Sequence, residues 1–382
     1  MTILFWAVAV IIILYLAFLL WIRVGLWRLR LKSPSDEIPK VSVIVAAKDE
    51  AQNLPYLLDA LRDQTYPADH LEVIVADDGS TDDTPLELQL YKQKMSNLHS
   101  LRIDQPRLGW GPKKWAVTEA IKAAHGEIIL TTDADCIPGP RWVEQMVQYF
   151  NSPTIGMVLG PSPMVADRLN LWRESLLLDS CAVDALAAGG TGWGLALTCT
   201  GRNLAYRLRV FEEVEGFKGV EHFISGDDDL LMQKVAATRD WKITFALGPD
   251  LAVPSPPPGS IGAFVRQRLR FASKGRYYFR LETGPGFKLI LPFIYIANLT
   301  VLGSIIAFAV SLGIIWLTPV ALKIIAEAML VYPYLRRIQQ RIRIGTFIIA
   351  SLFHPLYVVV FGALGNLHRV VWKGRRYAGS RV

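Results

Sequence analysis

The stretch VSVIVAAKDEAQNLPYLLDALRDQTYPADHLEVIVADD, from Val41 to Asp78, decides the fold that we predict for this chain. It begins with an apolar run rich in β-branched residues (Val41–Ala47), continues through a helix-like segment (Leu54–Arg62) and reaches a second apolar run (Leu71–Ala76). Buried strands that alternate with helices are typical of a mostly parallel sheet covered on both faces. The stretch therefore predicts an α/β domain.

The same alternation continues further along the chain. Helix-like segments follow at Thr84–Lys94 and Lys114–Ala124, and a third strand-like run lies at Glu127–Thr132. Open parallel sheets bind their ligands at the carboxyl ends of their strands. The residues that follow each run are therefore the first candidates for a site, and acidic residues occupy these positions.

The N-terminal apolar block predicts a membrane anchor. Residues 1–22 carry no charge and are long enough to cross the hydrocarbon core of a bilayer. Basic residues follow this block and do not precede it, which favours a retained transmembrane helix at 1–27 over a cleaved signal peptide. We expect an integral, multi-pass protein of the cell (inner) membrane, with the domain at 40–258 in the cytoplasm.

The C-terminal third is expected to return to the membrane. The stretch 259–288 mixes apolar with basic residues, which suits an amphipathic helix in the headgroup region. The apolar stretch 289–335 is long enough for two transmembrane helices. Lys323 and Glu327 are four apart inside it, and we expect them to form a self-contained ion pair near the headgroups.

A third apolar segment at 344–367 precedes a basic tail at 368–382. A full third crossing would place the tail outside the cell, against the positive-inside rule. A re-entrant hairpin, broken near His354-Pro355, is therefore favoured over a transmembrane helix, which stays the alternative.

Charge and cysteine content exclude some classes of protein. The net charge of +7 lies in patches beside the apolar blocks, as cytoplasmic membrane flanks require. Without a binding motif this charge does not indicate nucleic acid as a partner. Cys136, Cys181 and Cys199 lack CxxC spacing, which argues against a disulfide framework or a zinc site and fits a reducing compartment.

Two acidic motifs follow strand-like runs. Asp77 and Asp78 begin the sequence DDGS, where a carboxylate can accept hydrogen bonds from a nucleobase or ribose, although an ordinary turn is the alternative. Asp133 and Asp135 form a DAD motif. Two carboxylates one residue apart can hold a hard divalent cation that is shared with substrate phosphates, although a surface turn would also suit them.

Two further motifs lie nearer the C-terminus. SGDDDLL, at Ser225–Leu231, contains three aspartates that could complement a helix N-terminus or supply a general base such as Asp227. QRLRF, at Gln267–Phe271, places Gln267 and Arg270 on one helical face. From there both could reach a diphosphate, although a membrane-contacting arginine face is the alternative.

Taken together, these motifs resemble one enzyme family. The chain looks like a membrane-integrated glycosyltransferase of family 2 with the GT-A fold, a group that includes cellulose synthase-like enzymes and ceramide glucosyltransferases. The resemblance covers roughly Lys40–Phe271, and extends loosely to the layout of anchor and C-terminal helices. The matching stretches are VSVIVAAKDEAQNL, VIVADDGSTDDT, EIILTTDADCIPGPRWV, CTGRNLAYR, SGDDDLL and QRLRF.

The resemblance implies roles for five aspartates. Asp78, with Asp77 beside it, would contact the nucleoside of a nucleotide-sugar donor. Asp133 and Asp135 would engage the donor diphosphate through Mg²⁺ or Mn²⁺. Asp227 would be the catalytic base that deprotonates the acceptor.

The resemblance also implies further donor contacts. Gln267 and Arg270 match the QxxRW motif that holds the diphosphate near the membrane. Lys113 would contribute to the diphosphate site, and Lys48 and Glu50 to the nucleotide site.

Two residues depart from the family pattern. Gly226 replaces the usual glutamate before the base, and Phe271 replaces the tryptophan that lies against the acceptor sugar in sugar-polymerising relatives. Phenylalanine offers a smaller apolar face without an N–H donor. Trp193, in a glycine-rich loop, and His222 are lesser candidates for the acceptor site, and a structural role is the alternative for each.

These features predict an inverting hexosyltransferase. We expect it to transfer a sugar from a nucleotide-sugar, such as a UDP-sugar, to a membrane lipid at the cytoplasmic face. A processive polysaccharide synthase with a glycan acceptor is the main alternative. A transporter subunit or an inactive scaffold is an alternative of another class. A nicotinamide dehydrogenase is disfavoured, because no GxGxxG motif follows the first strand-like run.

Overall fold

A computed structural model of the chain describes residues 2–29, 37–105, 107–166, 168–273, 275, 277–279, 285–365, 371–372 and 375–376. Most of the predicted basic tail at 368–382 lies outside these residues. The helices are α1 Thr2–Arg28, α2 Leu54–Arg62, α3 Thr84–Lys92, α4 Pro112–Lys122, α5 Trp142–Val147, α6 Leu171–Thr191, α7 Leu208–Glu213, α8 Asp229–Thr238, α9 Ile261–Ala272, α10 Pro285–Ser311, α11 Leu317–Arg337 and α12 Ile344–Leu364. The strands are β1 Val41–Ala47, β2 Leu71–Asp77, β3 Leu98–Arg102, β4 Ile128–Asp133, β5 Ile155–Leu159, β6 Leu204–Arg207, β7 Lys242–Phe245, β8 Val371–Trp372 and β9 Arg375–Arg376.

The chain divides into two compact units. The sheet unit comprises Leu29–Ala166 and Ala196–Pro257. The helical unit comprises Met1–Arg28, Asp167–Leu195 and Pro258–Val382. The stretch 167–195, which lies inside the predicted catalytic domain at 40–258, thus belongs to the helical unit.

The sheet unit is built on a seven-stranded sheet with the order β3-β2-β1-β4-β6-β5-β7. Strands β3, β2, β1 and β4 run parallel to one another. Strand β6 runs antiparallel to β4 and β5, and β7 runs parallel to β5. The prediction of a mostly parallel α/β sheet is confirmed.

The apolar pattern explains why these segments form strands and helices. Val43 and Val45 of β1 are completely buried, and the whole strand is buried almost without interruption, as parallel strands between helical layers require. In α2, Leu54, Leu57, Leu58 and Leu61 recur at helical spacing and bury one face. Each such side chain contributes about 1.5–3 kcal/mol of hydrophobic stabilisation when it is fully buried.

The register of the sheet brings the acidic motifs to one edge. β1 lies between β2 and β4, where Ala47 pairs with Asp77 and Ala46 pairs with Asp133. Both aspartates are the last residues of parallel strands, so they occupy the edge at which such sheets bind ligands.

Among the described residues, the helical unit contains four helices that are long and apolar enough to cross a membrane. They are Phe5–Arg28, Lys288–Ser311, Ile314–Arg337 and Ile344–Leu364. The first corresponds to the predicted anchor, and the next two correspond to the two crossings predicted within 289–335.

The third C-terminal segment corrects the expected hairpin. Helix α12 continues without a break through His354 and Pro355. Proline lacks the N–H that would bond to the carbonyl of Ser351, four residues earlier. Lys323 Nζ of α11 donates to that carbonyl at 3.4 Å. A neighbouring helix thus satisfies the freed acceptor, and the helix does not need to end.

Lys323 forms the expected ion pair with Glu327, with Nζ and Oε1 2.6 Å apart. The pair is not self-contained. The Tyr15 hydroxyl of α1 donates to Glu327 at 3.3 Å, and His354 Nδ1 of α12 lies 3.5 Å from the same carboxylate. Lys323 is buried, so these contacts from three helices offset part of the cost of burying charge.

The glycine-rich segment before Trp193 is not the loop that the sequence suggested. Gly189 lies within α6, which packs against α1. A Cβ atom on Gly25 of α1 would lie 2.0 Å from the Gly189 carbonyl oxygen, and one on Gly192 would lie 2.0 Å from the Gly25 carbonyl oxygen. These glycines therefore let two helix backbones approach closely.

Candidate active site

Lys113 joins the predicted metal site to the predicted base. It lies in the first turn of α4, and its Nζ donates to Asp133 Oδ1 at 2.6 Å. The same Nζ lies 2.7 Å from Asp227 Oδ2. Burial alone would lower the pKa of Lys113, but its attraction to Asp133 and Asp227 outweighs burial and raises the pKa well above its usual range. The ammonium group therefore holds both carboxylates in one place.

Lys114, the residue after Lys113, fixes the loop that carries Asp227. Lys114 is 1% exposed, and its Nζ donates to the carbonyl oxygens of Phe223 and Ser225, each at 2.7 Å. At the start of α4, the Gly111 N–H donates to the Glu221 carbonyl at 2.6 Å. The beginning of α4 and this loop are thus held together from both sides.

The backbone of the loop explains one departure from the family pattern. Gly226 has φ +87°, a conformation that side-chain-bearing residues rarely adopt. A Cβ atom there would lie 2.6 Å from Leu230 Cγ. Glycine is therefore the residue that this turn requires, and the glutamate of the family pattern would be strained in it.

The three consecutive aspartates have different roles. Asp228 is the N-cap of α8, and its Oδ1 accepts from the Asp229 N–H at 2.7 Å. Its Oδ2 accepts from the Gly201 N–H at 2.9 Å. Asp228 thus has the helix-capping role that the sequence offered as one alternative for the SGDDDLL motif. Asp227 contacts Lys113.

The second carboxylate of the DAD motif lies in an electronegative environment. Burial, and then repulsion by Asp133 and Glu50, raise the pKa of Asp135 to about 6, although Arg202 opposes the shift. Such repulsion is what a bound divalent cation would relieve. The residues present therefore fit Mg²⁺ or Mn²⁺. Among the described residues, no group of three or more acidic, histidine or cysteine side chains lies together as a candidate metal site.

The DDGS turn is shaped by contacts within the sheet unit. Asp77 is buried, and its Oδ2 accepts from Arg102 at 2.8 Å while its Oδ1 accepts from the Ser80 N–H at 2.8 Å. Lys48 Nζ donates to the carbonyl of Asp78 at 2.6 Å. Asp77 and Lys48 therefore organise the turn, and contact with a nucleoside stays a prediction for both, and for Asp78.

Sequence reasoning missed several residues around this edge. The positive charge of Arg202 acts on Asp135 and opposes the rise in its pKa. The Arg202 guanidinium donates to the Ser162 carbonyl at 3.3 Å and to the Ser255 hydroxyl. Asn203 is buried and accepts from Trp142 Nε1 at 2.9 Å. Both belong to the stretch CTGRNLAYR, so the signal was present in the sequence, but its residues had no assigned roles.

The QRLRF motif lies in the helical unit, on α9. Helix α9, Ile261–Ala272, forms within the stretch 259–288 that was expected to be amphipathic, and Ser260 caps it by accepting from the Ala263 N–H at 3.2 Å. Phe271 is 42% exposed, with the Arg270 guanidinium 5.2 Å from its ring. The arginine between the two predicted diphosphate ligands, Arg268, is buried and pairs with Asp179 at 2.6 Å. The assignments of Gln267, Arg270 and Phe271 stay predictions.

The two lesser acceptor candidates have different surroundings. The Trp193 ring stacks on Trp21, with centroids 5.1 Å apart, and the Arg28 guanidinium lies 4.2 Å from the Trp193 centroid. Its Nε1 donates to the Trp21 carbonyl at 2.8 Å. These contacts favour the structural role for Trp193. His222 is exposed in the sheet unit, with its ring 4.1 Å from that of Phe223.

Comparison with known proteins gives consistent matches. Residues 42–215 match the sequence model of the family described as Glycosyl transferase family 2. The probable glycosyltransferase YdaM of Bacillus subtilis is 26% identical over 261 residues, which cover 66% of this chain and 58% of the relative. A beta-monoglucosyldiacylglycerol synthase of Synechocystis is 28% identical over 219 residues, or 56% of this chain and 43% of the relative. The matched regions thus span about half of the length of these relatives.

One solved structure shows the fold. The mannosyltransferase PcManGT from Pyrobaculum calidifontis, in complex with GDP-Man and Mn²⁺, aligns over 93% of this chain and 97% of its own chain. The TM-score is 0.60 at 22% identity. The fold of this chain is of the GT-A type.

Proposed function

We propose that this chain, which carries a Glycosyl transferase family 2 domain and a GT-A-type fold, is a glycosyltransferase that moves one sugar from a UDP-sugar to a membrane lipid. Transfer would take place at the cytoplasmic face of the cell membrane and would invert the anomeric carbon. A nucleotide-sugar donor is supported by the solved structure of the same fold, PcManGT, which is a complex with GDP-Man. The UDP nucleoside, the lipid acceptor and the membrane face are further parts of the proposal.

One observation carries the proposal. The carboxylates of Asp133 and Asp227 lie 2.6 Å and 2.7 Å from the same Lys113 nitrogen, although they are almost 100 positions apart in sequence. A diphosphate-binding motif and a general base must both lie beside one sugar, because the leaving group and the acceptor hydroxyl occupy opposite sides of one sugar carbon.

Asp227 would begin the reaction. Its carboxylate accepts the proton of the acceptor hydroxyl, and the acceptor oxygen forms a bond to the anomeric carbon as the bond to the diphosphate breaks. Attack from the side opposite the diphosphate inverts the configuration. Asp133 and Asp135 would hold a divalent cation, which when bound supplies positive charge to the departing diphosphate.

Lys113 would exchange partners during the cycle. With no donor bound, its ammonium pairs with both Asp133 and Asp227 and offsets part of their negative charge. A donor diphosphate offers it an alternative anion, in agreement with the predicted role of Lys113 in the diphosphate site.

A lipid acceptor is supported by three observations. In the part of the helical unit that the structure describes, four helices could span a membrane. A relative is named as a synthase of a glycolipid, monoglucosyldiacylglycerol. Phe271 replaces the tryptophan that polymerising relatives use against an acceptor sugar, which favours single transfer over processive synthesis.

The base assignment is tested with Asp227→Asn, which removes the proton acceptor and keeps the size of the side chain. We expect transfer to fall at least about a hundredfold, because a positioned general base contributes about 10²–10⁴ to the rate. Donor binding, measured by calorimetry, should remain. Asp240→Asn, at an exposed position after α8, makes the same charge change and should be fully active. Full activity of Asp227→Asn would remove the proposed base.

The acceptor is tested with purified protein, radiolabelled nucleotide sugars and total membrane lipid. Label that moves into the organic phase indicates a glycolipid product. Label retained in a high-mass aqueous polymer would overturn the lipid acceptor and favour a processive polysaccharide synthase.

A further inference from the structure

Asp227 lines a small cavity in the sheet unit. Its walls include Lys113 and Val117 of α4, Ile44 of β1, and Tyr206 of β6. Its size suits a water molecule. The proposed mechanism uses Lys113 and Asp227, but it gives no role to Tyr206.

The sheet register places Tyr206 on the face that α4 covers. Tyr206 pairs with Ile129 of β4, and Leu204 pairs with Thr131, two residues further on. Thr131 in turn pairs with Ile44 of β1. Side chains of directly paired residues, and of residues two apart, lie on the same face of a sheet. Tyr206 therefore points towards the side from which Lys113 reaches the carboxylates.

The hydroxyl of Tyr206 is buried in a polar environment. The residue is 1% exposed, and no hydrogen-bond partner for its oxygen lies among the residues that the structure describes. Buried hydroxyls in proteins are almost always hydrogen-bonded to protein or to ordered water. Burial, and then the negative charge of Asp227, raise the pKa of Tyr206, while Lys113 opposes the shift. Lys113 and Asp227 line the same cavity as Tyr206, and the Tyr206 hydroxyl keeps its proton.

We propose that Tyr206 is a positioning residue for Asp227, acting through one water molecule bound in this cavity. The Tyr206 O–H donates to the water, and the water donates to the Asp227 carboxylate. Lys113 holds Oδ2 of the same carboxylate from the side of α4. Two contacts from different elements would fix the orientation of the carboxylate, so that a lone pair faces the acceptor hydroxyl. This inference rests on the proposed role of Asp227 as the base.

Tyr206→Phe tests the inference, because it removes only the hydroxyl oxygen. We expect kcat to fall about tenfold, which corresponds to the loss of one hydrogen bond to a charged group, while the donor KM stays the same. Tyr149→Phe is the matched control. Tyr149 is also buried in the sheet unit, but its hydroxyl accepts from the Leu247 N–H at 3.2 Å, away from this cavity, so kcat should not change.

Each outcome decides the inference. An unchanged kcat in Tyr206→Phe would overturn it, and so would an equal loss of kcat in Tyr149→Phe. A crystal structure at high resolution gives a second test that needs no variant. Density for a water molecule within hydrogen-bond distance of Tyr206 Oη and Asp227 supports the inference, and a dry cavity would overturn it.

The failure of this inference differs from the failure of the proposed function. If Asp227→Asn is inactive and Tyr206→Phe is fully active, the base assignment stands and only the role of Tyr206 falls. If Asp227→Asn is active, both fall.

Discussion

Replacing Lys114 by methionine tests how firmly the loop that carries Asp227 is held. Methionine keeps much of the apolar stem of lysine, but it leaves the carbonyl oxygens of Phe223 and Ser225 without their donor. A buried acceptor that loses its partner costs about 1–3 kcal/mol, so two acceptors cost about 2–6 kcal/mol. The variant no longer buries an ammonium group, which offsets part of this cost. We therefore expect a net loss of about 2–3 kcal/mol in the free energy of unfolding.

This loss is large enough to measure as a melting temperature. For a unit of about 200 residues, each kcal/mol lowers Tm by about 2–4 °C, so Lys114→Met should melt about 4–12 °C below the wild-type protein. The assay is thermal unfolding of the full chain in detergent, followed by tryptophan fluorescence. Because Asp227 is only two residues beyond Ser225, kcat should fall as well.

Two lysines on the same helix provide controls. Lys122 is 61% exposed and pairs with Glu119, so Lys122→Met should change the free energy of unfolding by less than about 0.5 kcal/mol. Lys113→Met should lose transfer activity with a smaller fall in Tm, because Lys113 contacts side chains of the site and does not hold the loop backbone. If Lys114→Met has the same Tm as Lys122→Met and the wild-type protein, Lys114 does not hold the loop and this reasoning is wrong.

Two other predictions concern the loop and the metal site. Gly226→Ala should destabilise the protein by about 1–2 kcal/mol, because Gly226 has φ +87° and a Cβ atom there would contact Leu230. The measurement is the unfolding midpoint in denaturant, and an unchanged midpoint would show that the turn has another conformation. The affinity for Mn²⁺ should fall as the pH drops below about 6, because the raised pKa of Asp135 means that it takes up a proton there, and a ligand must be deprotonated to bind metal. Calorimetric titration at pH 5, 6 and 7.5 measures this change, and a constant affinity across the series would exclude Asp135 as a titrating ligand.

The local sequence pattern is enough to predict most of the strands and helices of the sheet unit, without knowledge of long-range contacts. Strand β1 and helix α2 have the predicted bounds, because their apolar periods are local properties of the chain. The positions of Asp77 and Asp133 at strand ends also follow from local pattern, since parallel strands present their carboxyl ends at one edge. The helices Phe5–Arg28, Lys288–Ser311 and Ile314–Arg337, which could span a membrane, follow in the same way from length and hydropathy.

Tertiary structure decided which neighbour in each motif does what. Asp227 faces Lys113 while Asp228 caps α8, and Lys114 holds the loop while Lys113 holds the carboxylates. Adjacent residues of the same type cannot be told apart in the sequence. Their roles differ because they contact different groups in segments about 100 residues away. The same holds for α12, which continues past Pro355 because Lys323 of another helix satisfies the carbonyl that proline leaves free. Local pattern fixes where helices and strands form, whereas the partner of each polar group depends on which distant segment packs beside it.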